Sequence, residues 1–339
     1  MKTDRDFVIQ LIKEHYKNAP LKEVQLELSR IINVKPSTAY NKIIGRNEFS
    51  ISEFLQLVKE FKVSIDAMIY ESGIDADKPL YFYADGLEDK IQSYFEYFKK
   101  VMDNVLKARS GNSQTKATFV CLQPHVFHMM PYPYLLYLKL YTYNLINWRI
   151  KGLEKYDPDT FLQDAETQKL IKKLYYAYQS IPVSEMVGHN FIHPLCSQLE
   201  YLVKTKIIRN PDHLKQIKHD IYTFLKEMEE TARKGIRVNP EGKETTVDMY
   251  INKFIHVSNI ILIESENGGL LTIQCDVPDV VKTYDPVFIK HFKQWLDSNQ
   301  EYAINISRAG GLERKEFFER NIKHVDMVME YLEKSFTTI

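Results

Sequence analysis

The sequence predicts a mainly α protein with two domains. Five short helices form the first, and the second is larger and mostly helical, with a small antiparallel β element near residues 247–277. Apolar residues recur at helical spacing along most of the 339 residues, and only this late segment is rich in β-forming runs. A hydrophobic content of 44% suffices for the cores of two or three domains. We place the domains at 1–72 and 87–339, with a linker at 73–86.

The first two predicted helices cover residues 4–16 and 21–32. In the first helix the apolar residues repeat at intervals that keep them on one face: Phe7, Val8, Leu11 and Ile12. The second helix repeats this spacing less regularly and is followed by Asn33. Asparagine tolerates the left-handed backbone region, so we expect Asn33 to end this helix in a tight turn.

Three further short helices each follow a residue that can begin a helix, and they are predicted at 36–44, 51–61 and 64–69. Pro36 suits the first turn of a helix, where its missing N–H is not needed, and Gly45 ends the same helix. Ser50 or Ser52 can cap the next helix, and Ser64 can cap the last. Two helices therefore meet across a tight turn within the first domain.

Helical spacing dominates the second domain, at 87–107, 134–150, 158–178, 183–206, 211–234, 286–297 and 314–334. The segment 247–277 differs, because β-forming runs at 260–263 and 270–277 are separated by Gly268 and Gly269. We expect two to four strands there. The amphipathic helix at 87–107 can serve as a dimerisation element, or it can pack on the second domain.

Charge and cysteine content restrict the class of protein. Lysine plus arginine equals aspartate plus glutamate at 45 each, so no overall field attracts the chain to nucleic acid or membrane. The three cysteines, Cys121, Cys196 and Cys275, lack the spacing of a zinc site or a disulfide framework. Charged residues precede any apolar stretch at the N-terminus, and prolines interrupt the apolar passage 119–148. We therefore expect reduced thiols in a cytoplasmic protein without a signal peptide or membrane span.

The segment 28–46 carries the functional argument. Small or apolar residues fall where two helices must touch, and polar residues fall on the opposite side. No acidic residue stands between Glu27 and Glu48, whereas four cations do: Arg30, Lys35, Lys42 and Arg46. Such a local patch can attract the phosphates of a duplex even in a neutral chain. A solvated charged face is the alternative reading.

This segment resembles the Cro/repressor (Xre-like) helix-turn-helix, and the resemblance covers residues 5–70, including the match at 50–66. It implies a bacterial, cytoplasmic transcriptional regulator that binds double-stranded DNA as a homodimer. Asn41 matches a base-reading position and can pair with adenine, and Gln25 matches a phosphate contact. The full set of expected DNA-binding residues is Gln25, Lys35, Pro36, Ser37, Thr38, Tyr40, Asn41, Lys42 and Arg46.

Two positions depart from the family pattern. Asn33 stands in place of the usual turn glycine, and Pro36 stands where many members have a long polar side chain that reads bases. The turn can persist because asparagine tolerates left-handed backbone. Fewer base contacts imply a site preference that is weak or depends on DNA shape.

Several other features leave alternatives open. The sequence contains no phosphate-binding glycine loop and no nucleophile elbow, so we expect neither an enzyme nor a cofactor. Histidine pairs occur at 125/128 and 189/193, and structural histidines are commoner than metal sites with such spacing. Tyrosine clusters at 132–143 and 175–178 can line a ligand pocket or belong to a core.

The second domain resembles the C-terminal regions of two-part regulators from Bacteroidetes, through residues 125–140, Ile181–Pro182 and 313–318. That resemblance implies no ligand or chemistry. A second domain that senses a small molecule or protein effector, or acts as an enzyme, is one alternative. The other is a first domain that binds protein instead of DNA.

Overall fold

The computed structural model describes residues 12, 16, 19–61, 82–85, 91–109, 115–255, 259–265, 268–274 and 280–337. The chain divides into two compact units, 1–81 and 82–339. The predicted helix at 64–69, and nearly all of the one at 4–16, lie outside the described residues. So does most of the predicted linker, although residues 83–85 at its end form a strand.

The first unit contains helices α1 (Leu21–Ile31), α2 (Pro36–Ile43) and α3 (Ile51–Phe61). Asn33 between α1 and α2 has a φ of 51°, and Gly45 after α2 has a φ of 76°, so both predicted turns are confirmed. Pro36 occupies the first turn of α2 as expected. Ser50 caps α3: its hydroxyl accepts from the Glu53 N–H at 3.3 Å, and its own N–H donates to the Glu53 carboxylate at 2.6 Å.

A small apolar core holds these helices together. Leu28, Ala39 and Leu57, one residue from each helix, are completely buried. They form one cluster with Ile12, Val24 and Ile32. An alanine at the centre of α2 has little side chain to separate the helices, so we expect α2 to lie close to α1.

The second unit alternates helices with strands. Its helices are α4 (Tyr94–Arg109), α5 (Val126–Met129), α6 (Pro133–Tyr143), α7 (Pro158–Gln163), α8 (Ala165–Gln179), α9 (His193–Lys204), α10 (Pro211–Lys234), α11 (Pro286–Glu301) and α12 (Gly311–Thr337). Its strands are β1 (Tyr83–Asp85), β2 (Lys116–Cys121), β3 (Val183–Gly188), β4 (Ile236–Val238), β5 (Glu244–Asn252), β6 (Ile260–Ser265), β7 (Gly268–Gln274), β8 (Val280–Thr283) and β9 (Ile304–Asn305). A π-helical turn (Asn144–Trp148) follows α6.

The strands form one mixed sheet in the order β1-β8-β7-β6-β2-β3-β5-β4, and β9 also pairs with β5. The central strands β2, β3 and β5 are parallel, and the remaining pairings are antiparallel. The prediction of a mainly α protein with only a small antiparallel β element was therefore wrong. Three strands do occur around residues 247–277, but they belong to this nine-stranded sheet.

The error has a physical source in β3. The sequence pattern predicts one helix over residues 183–206, whereas the structure has a six-residue strand followed within five residues by α9. A strand buried on both faces lacks the alternation that marks a half-exposed strand, so a short one merges with the adjoining helical pattern. Ile181–Pro182, which directly precede that predicted helix, instead lead into β3.

The sheet has an apolar layer on each face. Phe119, Val187 and Met249 lie on one face, in the large core that contains residues from α4 to α10 and from α12. Val120 and Met186 point to the other face, where α11 contributes Ile289 and Leu296. The parallel strands are thus covered on both sides, as such strands generally are.

Backbone segments approach closely at Gly310, between β9 and α12. A Cβ atom at this position would lie 2.2 Å from the carbonyl oxygen of Asn305 and 2.9 Å from the Cα of Ile306. Both obstacles are backbone atoms, which a side-chain rotation cannot relieve. Only glycine fits here without movement of the chain.

Two further expectations can be compared with the structure. Cys121 and Cys196 are buried free thiols, as predicted, and Cys275 lies outside the described residues. Within the described ranges, none of the helices has both the length and the apolar character needed to cross a membrane.

Candidate nucleic-acid interface

Helices α1 and α2 are joined at both ends of their contact. The Gln25 Nε2 group donates a hydrogen bond of 2.9 Å to the carbonyl oxygen of Pro36, which ties the first half of α1 to the first turn of α2. Farther along, the buried side chains of Leu28 and Ala39 lie in the shared core. The hydrogen bond from Gln25 and the shared core thus both hold α2 against α1.

Most of the expected DNA-binding residues lie on the surface of this unit. Five are exposed: Lys35, Pro36, Ser37, Tyr40 and Arg46. Thr38 and Asn41 are half-buried. Ala39 and Ile43 pack into the core, so the opposite side of α2, which carries Ser37 and Asn41, faces away from it.

Lys42 does not belong to that exposed set. It is buried, and its ammonium group lies 2.8 Å from the Glu53 carboxylate and also donates to the carbonyl oxygen of Glu48. The same ammonium is 5.3 Å from the centre of the Phe49 ring. Lys42 therefore joins α2 to the start of α3, and a contact with DNA would require breaking these bonds.

The partner of Lys42 is held in its charged form. Burial alone would raise the pKa of Glu53, but hydrogen bonds from Lys42 and Ser50 lower it below its ordinary value. Glu53 thus serves both as an ion-pair partner and as a member of the α3 cap. The sequence identified the cap but not the ion pair, because the two charges are eleven residues apart.

The remaining positive charges of segment 28–46 are at the surface. Arg30, Lys35 and Arg46 are all exposed. Arg30 lies 3.7 Å from Glu27, and an exposed ion pair of this kind contributes little, so its charge stays accessible to an anion. Gln25 uses one hydrogen of its amide for Pro36 and keeps a second hydrogen that a phosphate oxygen can accept.

The second unit places the histidine pair of residues 125 and 128 in its interior. The Nδ1 atom of His128 accepts from the backbone N–H of His125 at 3.1 Å, so its Nε2 carries the proton toward Glu185, 3.3 Å away. Tyr178 donates to the same Glu185 oxygen at 3.1 Å. Burial lowers the pKa of His125 to about 3, which keeps that imidazole neutral.

Glu185 is a buried charge at the centre of this network. Burial would raise its pKa, but His128, Arg237 and Tyr178 lower it below the ordinary value. Within the described part of the chain, no three histidine, cysteine or acidic residues are arranged to hold a metal ion. We interpret the network as a structural feature of the core.

The second histidine pair does not share a helix face. His189 follows the end of β3, whereas His193 begins α9. Each has a partner on α12: the Arg320 guanidinium donates to His189 Nδ1 at 2.8 Å, and the His193 ring stacks on His324 with centroids 3.5 Å apart. Sequence reasoning missed both partners, which lie more than one hundred residues away.

The tyrosine clusters belong to the core. Tyr137, Tyr141 and Tyr143 are at most 2% exposed, and Tyr132 and Tyr178 are also buried. Tyr137 contacts the rings of Tyr94, Tyr156 and Phe161 at centroid distances between 5.0 and 6.0 Å. The first of the two interpretations considered for these clusters, a ligand pocket, therefore has no support from their packing.

The comparisons with known proteins do not add to this picture. A scan of protein-family models and searches of curated proteins and of solved structures found nothing that matches this chain. The case for a function therefore depends on the geometry of the first unit and on the resemblance of its sequence to the Cro/repressor helix-turn-helix.

Proposed function

We propose that this protein is a transcriptional regulator that binds double-stranded DNA through the exposed side of α2. The observation that carries the proposal is a helix whose buried alanine faces the core and whose opposite side is polar, flanked by Lys35 and Arg46. At eight residues, α2 is about 12 Å long. The major groove admits one helix of this kind.

The expected DNA-binding residues other than Lys42 suggest a division of roles. Ser37 and Asn41 lie one turn apart on α2, and their hydroxyl and amide groups suit contacts with base edges. Lys35 and Arg46, at the two ends of the helix, suit the phosphates. Thr38 and Tyr40 add polar groups beside them. Gln25 orients α2 and can offer its second amide hydrogen to a phosphate oxygen.

A homodimer follows from this mode of recognition. One short helix reads few bases, so regulators of this kind pair two copies on half-sites about 34–36 Å apart. We expect a dimer in sedimentation equilibrium and a preferred DNA sequence with two-fold symmetry. A monomer at every concentration, together with an asymmetric preferred site, would contradict this part of the proposal.

The main test is selection of preferred sequences from a random DNA pool. Replacing both Ser37 and Asn41 by alanine should remove the preference while the fold persists, because neither side chain is fully buried. Gln56→Ala, at an exposed position of α3, is the matched control and should select the same sequences as the wild type. If the double variant selects the same sequences as the wild type, α2 is not the helix that contacts the base edges.

Salt dependence separates DNA binding from protein binding by the same surface. Phosphate contacts release counterions, so affinity for DNA should fall steeply as the salt concentration rises. Arg46→Ala should reduce the slope of log affinity against log salt by about 1. Lys59→Ala removes an exposed cation from the end of α3 and should leave that slope unchanged.

A further inference from the structure

We propose that the second unit binds a tetrahedral dianion, a phosphoryl or sulfate group, between the carboxyl ends of β3 and β5 and the helices α9 and α12. The groups that would hold it are His189, His193, Lys253, Arg320 and His324. This site lies entirely within residues 82–339. It is therefore independent of DNA binding and can be tested even if that function is absent.

The topology brings these residues to one edge of the sheet. β3 and β5 are adjacent and parallel, and they end at Gly188 and Asn252. His189 and Lys253 are the next residues along the two strands, and α9 begins shortly after the first of them. In sheets with parallel strands covered by helices, ligands bind beyond the carboxyl ends of those strands.

Helix α12 completes the cluster. Arg320 and His324 are four residues apart, so their side chains neighbour each other on one face of α12. Arg320 reaches His189 at 2.8 Å, and His324 lies flat against His193, with ring planes 9° apart. Two residues of one turn of α12 thus contact the histidine that precedes α9 and the histidine that begins it.

The cluster holds cationic groups that lack acidic partners. Among the residues that the structure describes, no carboxylate lies within ion-pair distance of Arg320 or Lys253. Glu200 is the acidic residue whose charge acts on His324, and its carboxylate also lies 2.5 Å from the Lys204 ammonium. A dianion would add negative charge beside Arg320 and Lys253, which the described carboxylates do not pair.

Positive groups within the cluster repel one another and lower the pKa values of neighbouring histidines. The pKa of His189 is lowered by burial and by Arg320 and Lys253, and that of His193 is lowered by burial and by His324 and His189. Burial lowers the pKa of His324, while Glu200 acts in the opposite direction. A bound dianion would offset the repulsion from these positive charges, although not the effect of burial, so binding should be accompanied by proton uptake.

The ring geometry favours an anion over a metal ion. Stacked parallel imidazoles at 3.5 Å place their nitrogens side by side, so their lone pairs do not converge on one point. The Nδ1 of His189 is occupied by the Arg320 N–H, which leaves Nε2–H as a donor. Several N–H donors from different elements suit a tetrahedral oxyanion better than a planar carboxylate.

Sulfate is the most informative probe, because its charge stays constant between pH 6 and 8. We expect titration calorimetry of the full chain to show binding about tenfold tighter at pH 6 than at pH 8, which corresponds to an average uptake of about half a proton per anion over this range. The uptake should also appear as a dependence of the binding heat on buffer ionisation. Binding that is equal at both pH values would overturn the proposal.

Variants locate the site. Arg320→Gln, and the double variant His193→Gln with His324→Gln, should each weaken sulfate binding at pH 6 at least tenfold. His291→Gln, at an exposed histidine of α11, should bind as the wild type does. Fluorescence of Trp148 and Trp295, both in the second unit, checks that each variant is folded; folded variants that retain wild-type affinity would contradict the assignment.

Two further arms identify the ligand. Inorganic phosphate and glycerol 3-phosphate, compared at pH 8, distinguish a free anion from a phosphate ester, and tighter binding of either supports the site. The second arm tests zinc. Tight zinc binding that is lost in the histidine variants, without sulfate binding, would replace the proposed anion by a metal.

Discussion

Each unit of this protein buries a lysine side chain, and the two ammonium groups have different partners. In the first, the buried ammonium of Lys42 meets a carboxylate, Glu53, at 2.8 Å. In the second, Lys139 is 1% exposed and donates to the neutral side-chain oxygen of Gln123 at 2.9 Å. Burial lowers the pKa of Lys139 to about 7. The charge of Lys42 is neutralised by pairing with a carboxylate, whereas burial of Lys139 favours its uncharged amine.

This difference determines how each unit should respond to mutation and to pH. A buried ion pair links two helices directly. Removing one of its charges leaves the opposite charge buried and unpaired, which destabilises the fold. A buried amine whose pKa lies near 7 makes the free energy of unfolding depend on pH. The second unit also contains a paired buried charge, because the Glu185 carboxylate bonds to His128 and Tyr178 in the core.

The largest effect is expected from Glu185→Ala. The substitution leaves His128 and Tyr178 without their acceptor and Arg237 without the nearby negative charge, at a cost of about 3–5 kcal/mol. Urea unfolding followed by tryptophan fluorescence measures this loss, since Trp148 and Trp295 both belong to the second unit. Glu241→Ala, at an exposed position, is the control. Equal midpoints for both variants would refute the importance of the network.

Lys139→Met should stabilise the second unit at pH 7 by about 2–4 kcal/mol, because folding lowers the proton affinity of this amine. In the unfolded chain this amine has its ordinary pKa of 10.5, whereas in the folded protein it is about 7. Between these values the unfolded chain binds more protons, so wild-type stability rises with pH. The advantage of methionine should therefore shrink from pH 7 to pH 9.5.

The measurement for Lys139 is the same fluorescence unfolding curve, repeated across that pH range. Lys155→Met replaces an exposed lysine and should leave stability within about 0.5 kcal/mol of the wild type. A loss of stability in Lys139→Met that does not vary with pH would mean that the amine is held in its charged form.

In the first unit, Lys42→Met should lower the free energy of unfolding by about 1–3 kcal/mol. The loss is smaller than at Glu185, because Glu53 is partly solvated and keeps its bonds to Ser50. Hydrogen exchange in residues 19–61 reports this change. The salt slope of DNA binding should stay the same, and a slope reduced by about 1 would show that Lys42 contacts phosphate.

The sequence predicted the local features of the first unit well. The left-handed Asn33, the proline that opens α2, Gly45 and the Ser50 cap are all encoded within a few residues. The role of Lys42 was not predictable in the same way. Its position in the segment resembles that of the exposed cations, and only the packing of α3 shows that its charge is already used.

The second unit was harder to predict because its defining contacts join distant segments. The strands β2 and β3 pair in parallel through a crossover of about sixty residues, and neither has a strict alternating pattern. The contacts of His189 with Arg320, and of His193 with His324, likewise require the folded sheet. The helical patterns around them were visible, but the juxtaposition was not.

The close backbone approach at Gly310 has an evolutionary consequence. Surface helices can exchange most of their residues, whereas a methyl group at this site would collide with the carbonyl of Asn305. A relative that preserves the junction of β9 and α12 is expected to retain glycine here even after most other positions have diverged. This position can therefore help to recognise distant relatives when overall sequence identity has become uninformative.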